Sequence, residues 1–328
     1  MTLKKHQINK GNVLSDENQL NPNNLVARPF LKWAGGKRQL LEKFQELYPT
    51  QLKQKKITTY YEPFLGSGAV FFDIAQKFGI KSAYLYDINE ELILTYKVVQ
   101  KDVSKLLDFL FRYQINYIKL DKEKRQDFFY EQRNIFNTQR FNIDYNTYSE
   151  QWFPRAAQFI FLNRTCFNGL YRVNSKGEFN VPVGDYVNPI ICDEQNLLAA
   201  HQILQIAEIK KVDYKEIISD LNGQSFIYFD PPYRPISKTA SFNAYSKHSF
   251  GHNEQVELAN LFRLLDKKGM QLMLSNSDPK NIDPSDNFFD EIYNDFNITR
   301  VPARRMINSD STKRGIINEI VVTNYSIS

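Results

Sequence analysis

Short apolar runs alternate with stretches of helical spacing along this chain, and one long helical interlude breaks the alternation; no other feature limits its fold as much. Between residues 30 and 99 the pattern predicts a helix at 37–47, a strand at 58–62, a helix at 69–78, a strand at 82–86 and a third helix from Glu90. Strand–helix–strand alternation needs crossover connections, and so a parallel sheet with helices on both faces. The rhythm stops at Asp102. From there to about residue 162 the chain is rich in Lys, Asn, Gln, Tyr and Phe, with helical spacing at Leu106, Leu107 and Leu110 and again at Phe128 and Phe129. Turn-formers follow at Asn168-Gly169, Ser175-Lys176-Gly177 and Val183-Gly184, and a hairpin is predicted around 175–177. The alternation resumes after Pro189, with helices predicted at 197–206 and 254–265 and strands at 209–212, 226–229, 270–274 and 316–324. The expected fold class is therefore α/β: one mostly parallel, mixed sheet built from two chain segments, with a helical insert containing a β-hairpin. Residues 1–25 read as a flexible tail, 26–102 and 191–328 as the sheet domain, and 103–190 as the insert.

Composition narrows the class. With 42% hydrophobic residues, including 25 Phe and 19 Tyr, a chain of 328 residues can bury a sizeable core, and 24% charged residues argue against global disorder. A net charge of +5 is compatible with a polyanionic partner and gives it weak support. Cys166 and Cys192 lack metal-ligand spacing, and His248 and His252, four apart, have no acidic or thiol ligand in register, so no metal site is expected. The first 25 residues are polar, which predicts no signal peptide, and no segment reaches the ~20 apolar residues of a membrane span. A soluble, cytoplasmic protein is the expectation.

Three segments carry chemistry. Asp230-Pro231-Pro232-Tyr233 follows the apolar run at 226–229, and active residues of open α/β sheets lie at the carboxyl ends of strands. An exocyclic amine conjugated to an aromatic ring is a poor nucleophile, because its lone pair is delocalised. A carboxylate at Asp230 and the carbonyl of Pro231 can accept its two hydrogens, localising the lone pair for in-line attack on a sulfonium methyl. Pro231 and Pro232 stiffen the loop, and Tyr233 offers a ring on which an extruded base can stack. The alternative is an ordinary Pro-rich turn. The second segment, Glu62-Pro63-Phe64-Leu65-Gly66-Ser67-Gly68, joins a predicted strand to a helix; its glycines permit close backbone approach to a ligand, though a third glycine of the dinucleotide fingerprint is missing. Asp87 follows 21 residues after Gly66, where an acidic residue binds ribose hydroxyls in nucleoside-binding sheets; its alternative role is a helix N-cap. The third segment, Phe30 to Lys37, sets Trp33 beside small residues and Lys37, and can supply a wall and a cation for a carboxylate.

Together these segments resemble the Dam-type DNA adenine methyltransferases, the resemblance covering nearly everything from Arg28 to Tyr325, with the hairpin described below pointing to their GATC-modifying branch. The resemblance implies a Rossmann-like methyltransferase sheet, S-adenosylmethionine as cofactor, duplex DNA as partner, and N6 of a flipped adenine as methyl acceptor. The stretch Leu31–Lys37 matches the family's first cofactor motif and implies that Trp33 and Lys37 contact S-adenosylmethionine. The loop holding Pro63, Phe64, Gly66 and Gly68 matches the glycine loop, and Asp87 the ribose-binding position. Asp213, in Val212-Asp213-Tyr214, resembles the residue beside the cofactor's adenine, and Asp230 to Tyr233 match the catalytic motif, with Asp230 also abutting the cofactor. The run from Asn163 to Arg172, followed by 177–182, is similar to the recognition hairpin of enzymes that methylate GATC. It implies Phe167 as an intercalating ring, with Asn168, Leu170, Arg172 and Pro182 near the bases and Lys32 facing the DNA. Phe167 stands where tyrosine is common, which keeps stacking and removes a hydroxyl. A restriction–modification system with a cognate endonuclease, a phage and a stand-alone pathway all remain open as contexts.

Three rival readings are weaker on residues alone. A protein-amide methyltransferase usually has Asn in place of Asp230 and lacks the insert. A nicotinamide oxidoreductase would need the missing glycine and a catalytic His or Tyr-Lys pair. A non-catalytic DNA-binding regulator would not be expected to keep Asp230 to Tyr233 and the cofactor loops intact.

Overall fold

The computed structural model describes residues 26–221, 224–234, 250–304 and 316–327; the expected N-terminal tail and His248 lie outside them. The described segments build a seven-stranded sheet. In chain order the strands are β1 Thr59–Glu62, β2 Ser82–Asp87, β3 Ala207–Lys211, β4 Ser225–Phe229, β5 Gln271–Ser277, β6 Asn297–Arg304 and β7 Ile316–Thr323, and their spatial order is β3-β2-β1-β4-β5-β7-β6. The first five of that row are parallel, whereas β7 runs antiparallel to β5 and β6 antiparallel to β7. Every residue of β4 is buried, as a central strand covered on both faces requires. The two-residue period of a strand then sends Phe226 and Tyr228 into one core and Ile227 and Phe229 into the other.

Ten α-helices are described: α1 Leu41–Leu47, α2 Thr50–Lys53, α3 Ala69–Lys77, α4 Glu90–Lys101, α5 Val103–Ile118, α6 Lys122–Gln139, α7 Trp152–Thr165, α8 Glu194–Leu204, α9 His252–Lys267 and α10 Phe288–Ile292. On one face α9 and α10 cover the sheet with Leu258, Phe262, Leu265 and Phe289. On the other face α3, α4 and α8 pack on the strands, and the insert helices α5, α6 and α7 add to that same core through Leu106, Phe129, Phe159 and Phe161. The hub is α7, apolar nearly all round and buried along most of its length. Its one charge inside the core, Arg155, pairs with Glu91 of α4, whose carboxylate also accepts the Tyr145 hydroxyl at 2.6 Å.

The hairpin predicted around 175–177 is present as an irregular one. Val173 pairs with Phe179 and Cys166 with Val183, each as a single antiparallel bridge, and Asn174 closes the turn by accepting the amides of Lys176 and Glu178. Two features escape a reading by apolar pattern. β6 mixes polar residues with Pro302 and has no apolar run; as the outermost strand it tolerates a residue that cannot donate. The second is a short 3-10 helix, Tyr214–Asp220, which follows β3.

Candidate active site and nucleic-acid face

β2, β1 and β4 are neighbours and parallel, so the loops leaving their carboxyl ends lie side by side. That single topological fact gathers Asp87, the loop from Glu62 to Gly68, and Asp230 to Tyr233. The turn from Trp33 to Lys37 completes the group: Lys37, 2% exposed, lies 2.6 Å from Asp230 Oδ1 and donates to Asp230 Oδ2 at 2.8 Å, to the Tyr233 hydroxyl at 2.9 Å and to the Gly35 carbonyl at 2.8 Å. Burial works against the Lys37 charge, but Asp230, with Tyr233 and Glu319, outweighs it and raises the ammonium above the ordinary lysine range. Burial also raises the Asp230 carboxyl, while Lys37 and Ser275 pull it back.

The catalytic turn is braced from β5 and α9. The Ser275 hydroxyl reaches Asp230 Oδ1 at 3.3 Å and shares a 2.7 Å hydrogen bond with Tyr228, so the carboxylate plane is fixed from two sides. Gln255, fully buried, donates to the Pro232 carbonyl at 3.0 Å and is itself held by Asn276 at 3.3 Å. Pro231 is buried, Pro232 exposed and Tyr233 half-buried.

The neighbouring loops have the chemistry of a nucleoside site. Gly66 has φ +47°, and a Cβ there would lie 2.9 Å from Trp33 Cδ1, so only glycine lets the loop sit against the indole. Asp87 accepts the amide of Gly66 at 3.1 Å and that of Asn89 at 2.9 Å, which leaves lone pairs for hydroxyl donors. It does not cap α4; Asn89 does, accepting from Leu92. Phe64 stacks on Tyr214, with Phe250 edge-on to Phe64, forming an aromatic wall beside Pro63. Beneath Gly68 the Tyr96 hydroxyl is buried without a hydrogen-bond partner among the described residues. Aromatic faces, a carboxylate and an unpaired hydroxyl around a glycine cradle suit an adenosyl group. Asp213 is exposed and caps the 3-10 helix by accepting from Lys215, so a polar contact with the cofactor would add to that role.

The residues expected to meet DNA come together on the insert side. Phe167, 51% exposed, Asn168, Arg172 and Pro182 are all exposed, with Leu170 half-buried behind them. Phe167 and Pro182 are tied by a backbone bond of 2.8 Å, and Arg172 donates across the hairpin to Asn180 at 2.7 Å. Lys32 comes from the far end of the chain to join them: it packs over Gly169, where a Cβ would collide with its stem, and over the Tyr186 ring at 4.2 Å. Asn163 fixes that approach by accepting the Lys32 amide and donating to the Lys32 and Gly169 carbonyls. Trp33 stacks on Tyr171, at 5.6 Å and 13°, so one indole touches both the glycine loop and the hairpin.

Sequence reasoning missed Glu319, Ser275, Gln255, Asn276, Tyr171 and Tyr186. For Glu319 a signal existed, because it is the one acidic residue in the run 316–324. Gln255 and Asn276 carry no such mark; only packing shows that they face the catalytic turn. Among the described residues no group of three or more His, Cys, Asp or Glu could hold a metal ion, and no helix is long and apolar enough to cross a membrane.

A sheet of this order, with a glycine loop after β1, an acidic residue after β2 and Asp-Pro-Pro-Tyr after β4, defines a methyltransferase of the S-adenosylmethionine-dependent fold class. The family described as D12 class N6 adenine-specific DNA methyltransferase matches residues 33–307, and the chain belongs to it. The chain is 47% identical to Type II methyltransferase M.MjaIII of Methanocaldococcus jannaschii, over 92% of this chain and all of that one. It is 38% identical to Type II methyltransferase M1.LlaDCHI of Lactococcus lactis subsp. cremoris, covering 94% and 99% of the two chains. A DNA adenine methylase of Haemophilus influenzae is 32% identical over 90% of this chain and 93% of its own. The chain is thus a DNA adenine N6 methyltransferase.

Proposed function

We propose that this enzyme takes its methyl group from S-adenosylmethionine and places it on an adenine flipped out of duplex DNA, within the site GATC. The observation that carries this reading is that Trp33 touches both the glycine loop of a nucleoside-binding half (Pro63 to Gly68, Asp87) and the hairpin of a reading half (Lys32, Phe167, Asn168, Leu170, Arg172, Pro182), while Lys37 of the same turn holds Asp230. In this division residues 103–190 read DNA, and 26–102 with 191–328 carry the chemistry. Bound S-adenosylmethionine supplies an electrophilic methyl on a sulfonium. Asp230 and the Pro231 carbonyl accept the two amino hydrogens of adenine and localise the nitrogen lone pair. Asp230 would also take up the surplus proton of N6 once the nitrogen had accepted the methyl. A duplex base cannot reach a carboxylate recessed at the sheet edge, so the adenine leaves the stack, with Tyr233 as its stacking surface and Phe167 filling the gap.

GATC as the target is supported by two cations on the reading face. An Arg172 guanidinium can bond both N7 and O6 of guanine, and Lys32 comes from the cofactor side to pack on the hairpin at Gly169, so each could read one guanine of the palindrome. Expression in a methylation-free host, followed by sequencing that detects N6-methyladenine, tests this directly. Methylation confined to GATC is expected. Modification of a different site would remove the target assignment, and loss of readout in Arg172→Ala should relax one base pair at a cost of ~1–3 kcal/mol.

A further inference from the structure

Lys37 lies 2.6 Å from Asp230, so the pair together is neutral. A neutral pair gives little electrostatic stabilisation to a reaction in which positive charge moves from sulfur onto an amine. The remaining carboxylate within ion-pair distance of Lys37, among the described residues, is Glu319, at 3.8 Å from Nζ. Topology puts it there. β7 runs antiparallel to β5, so the first half of β7 returns to the sheet edge where the parallel strands end, and Glu319 pairs with Ser277, the last residue of β5. Glu319 is 8% exposed, and its Oε2 is buried with no hydrogen-bond partner among the described residues. Burial raises the Glu319 carboxyl while Lys37 and the Tyr233 hydroxyl pull it back, and a buried carboxylate oxygen so short of donors is costly to keep. Glu62 of β1 also faces Asp230, but Tyr60 holds it at 2.9 Å and burial pushes its carboxyl well above the ordinary range.

We infer that Glu319 is a positioning residue that shares the Lys37 ammonium with Asp230 and restores a net negative charge to the methyl-transfer centre. The inference rests on the proposed reading of Asp230 and of S-adenosylmethionine as donor. Acting through Lys37, Glu319 weakens the hold of that ammonium on Asp230, so the catalytic carboxylate stays free to accept amino hydrogens. It also balances the sulfonium charge, which the product S-adenosylhomocysteine lacks.

The difference in charge between donor and product supplies the test. Calorimetric titration gives the affinity of the full-length protein for S-adenosylmethionine and for S-adenosylhomocysteine, before and after Glu319→Gln. The variant is expected to lose about tenfold in the ratio favouring the sulfonium, the effect of removing one partly screened charge at close range. Its kcat on methylatable duplex DNA is expected to fall with little change in KM for DNA. Glu319→Asp, which keeps the charge and alters the shape, is expected to hold the ratio near wild type. Equal weakening of both ligands, an unchanged ratio, or a ratio lost as fully in the Asp variant as in the Gln variant would overturn the inference. Wild-type protein that methylates no DNA at all would instead overturn the underlying reading. If Glu319→Gln does not fold, Glu319→Ala takes its place as the charge-removing variant, with the same loss of the ratio expected and an unchanged ratio overturning the inference.

Discussion

Lys37 is expected from the sequence to meet the cofactor, and within the protein its ammonium contacts Asp230, Tyr233 and the Gly35 carbonyl. The motif Leu31–Lys37 shows that a cation is present; the fold decides which carboxylate it faces. In the proposed mechanism Asp230 is the residue on which turnover depends most directly. Asp230→Ala is expected to bind S-adenosylmethionine and DNA within several-fold of wild type while losing ~100-fold or more in kcat, since an oriented acceptor in a dry site is worth at least that much. Single-turnover rates on duplex DNA check it; near-wild-type rates would remove Asp230 from the mechanism. The pH dependence has a definite sign. Burial raises the Asp230 carboxyl above its ordinary 3.8, and the acceptor must be ionised, so kcat falls as pH falls through the raised value. The acid limb of the kcat profile should therefore lie above 3.8, and a limb at or below that value would contradict the burial argument.

At the scale of elements, α4 and α7 are pinned by Arg155 and Glu91, a pair with almost no solvent access, and Tyr145 fills the remaining demand of the carboxylate. Removing one partner leaves the other buried without compensation, which typically costs ~3–5 kcal/mol. Arg155→Ala should therefore lower the unfolding free energy measured by urea denaturation by an amount in that range, and a loss under ~1 kcal/mol would show that water replaces the guanidinium easily. The helices themselves were legible in the chain, because Leu106, Leu107, Leu110, Phe128 and Phe129 fall at helical spacing. What spacing left undetermined was which helix would sit at the centre. α7 is buried on nearly all sides, and its role follows from having no polar face to turn outward. The edge strand β6 was invisible for the opposite reason. Its residues satisfy a backbone ladder, and its side chains make no apolar run that would identify it.

At the scale of the whole molecule, the insert is proposed to read DNA while the sheet domain carries the chemistry, yet among the described residues it has no separate hydrophobic core. Phe159 and Phe161 of α7 belong to the same buried cluster as Leu85 and Phe226 of the sheet. Unfolding should then be one cooperative event across both regions. The two tryptophans make this measurable, because Trp33 lies in the turn before α1, on the sheet domain, and Trp152 in the insert. Trp33→Phe and Trp152→Phe proteins, each followed by fluorescence from its one remaining indole, should give coincident transitions in denaturant; midpoints that separate would mean two independently folding units. The sequence by itself determined the alternation of strands and helices, the interruption at Asp102, and the Asp-Pro-Pro-Tyr, glycine-loop and hairpin segments, because these depend on local period, turn chemistry and residue type. Only the tertiary structure decided that Lys37 meets Asp230, that Gln255 and Asn276 brace the catalytic turn, and that Glu319 returns to the same edge from the far end of the chain. Those pairings join residues up to 282 positions apart (Lys37 and Glu319), and they are set by strand order and by the reversed direction of β7, neither of which leaves a periodic trace in the residues concerned.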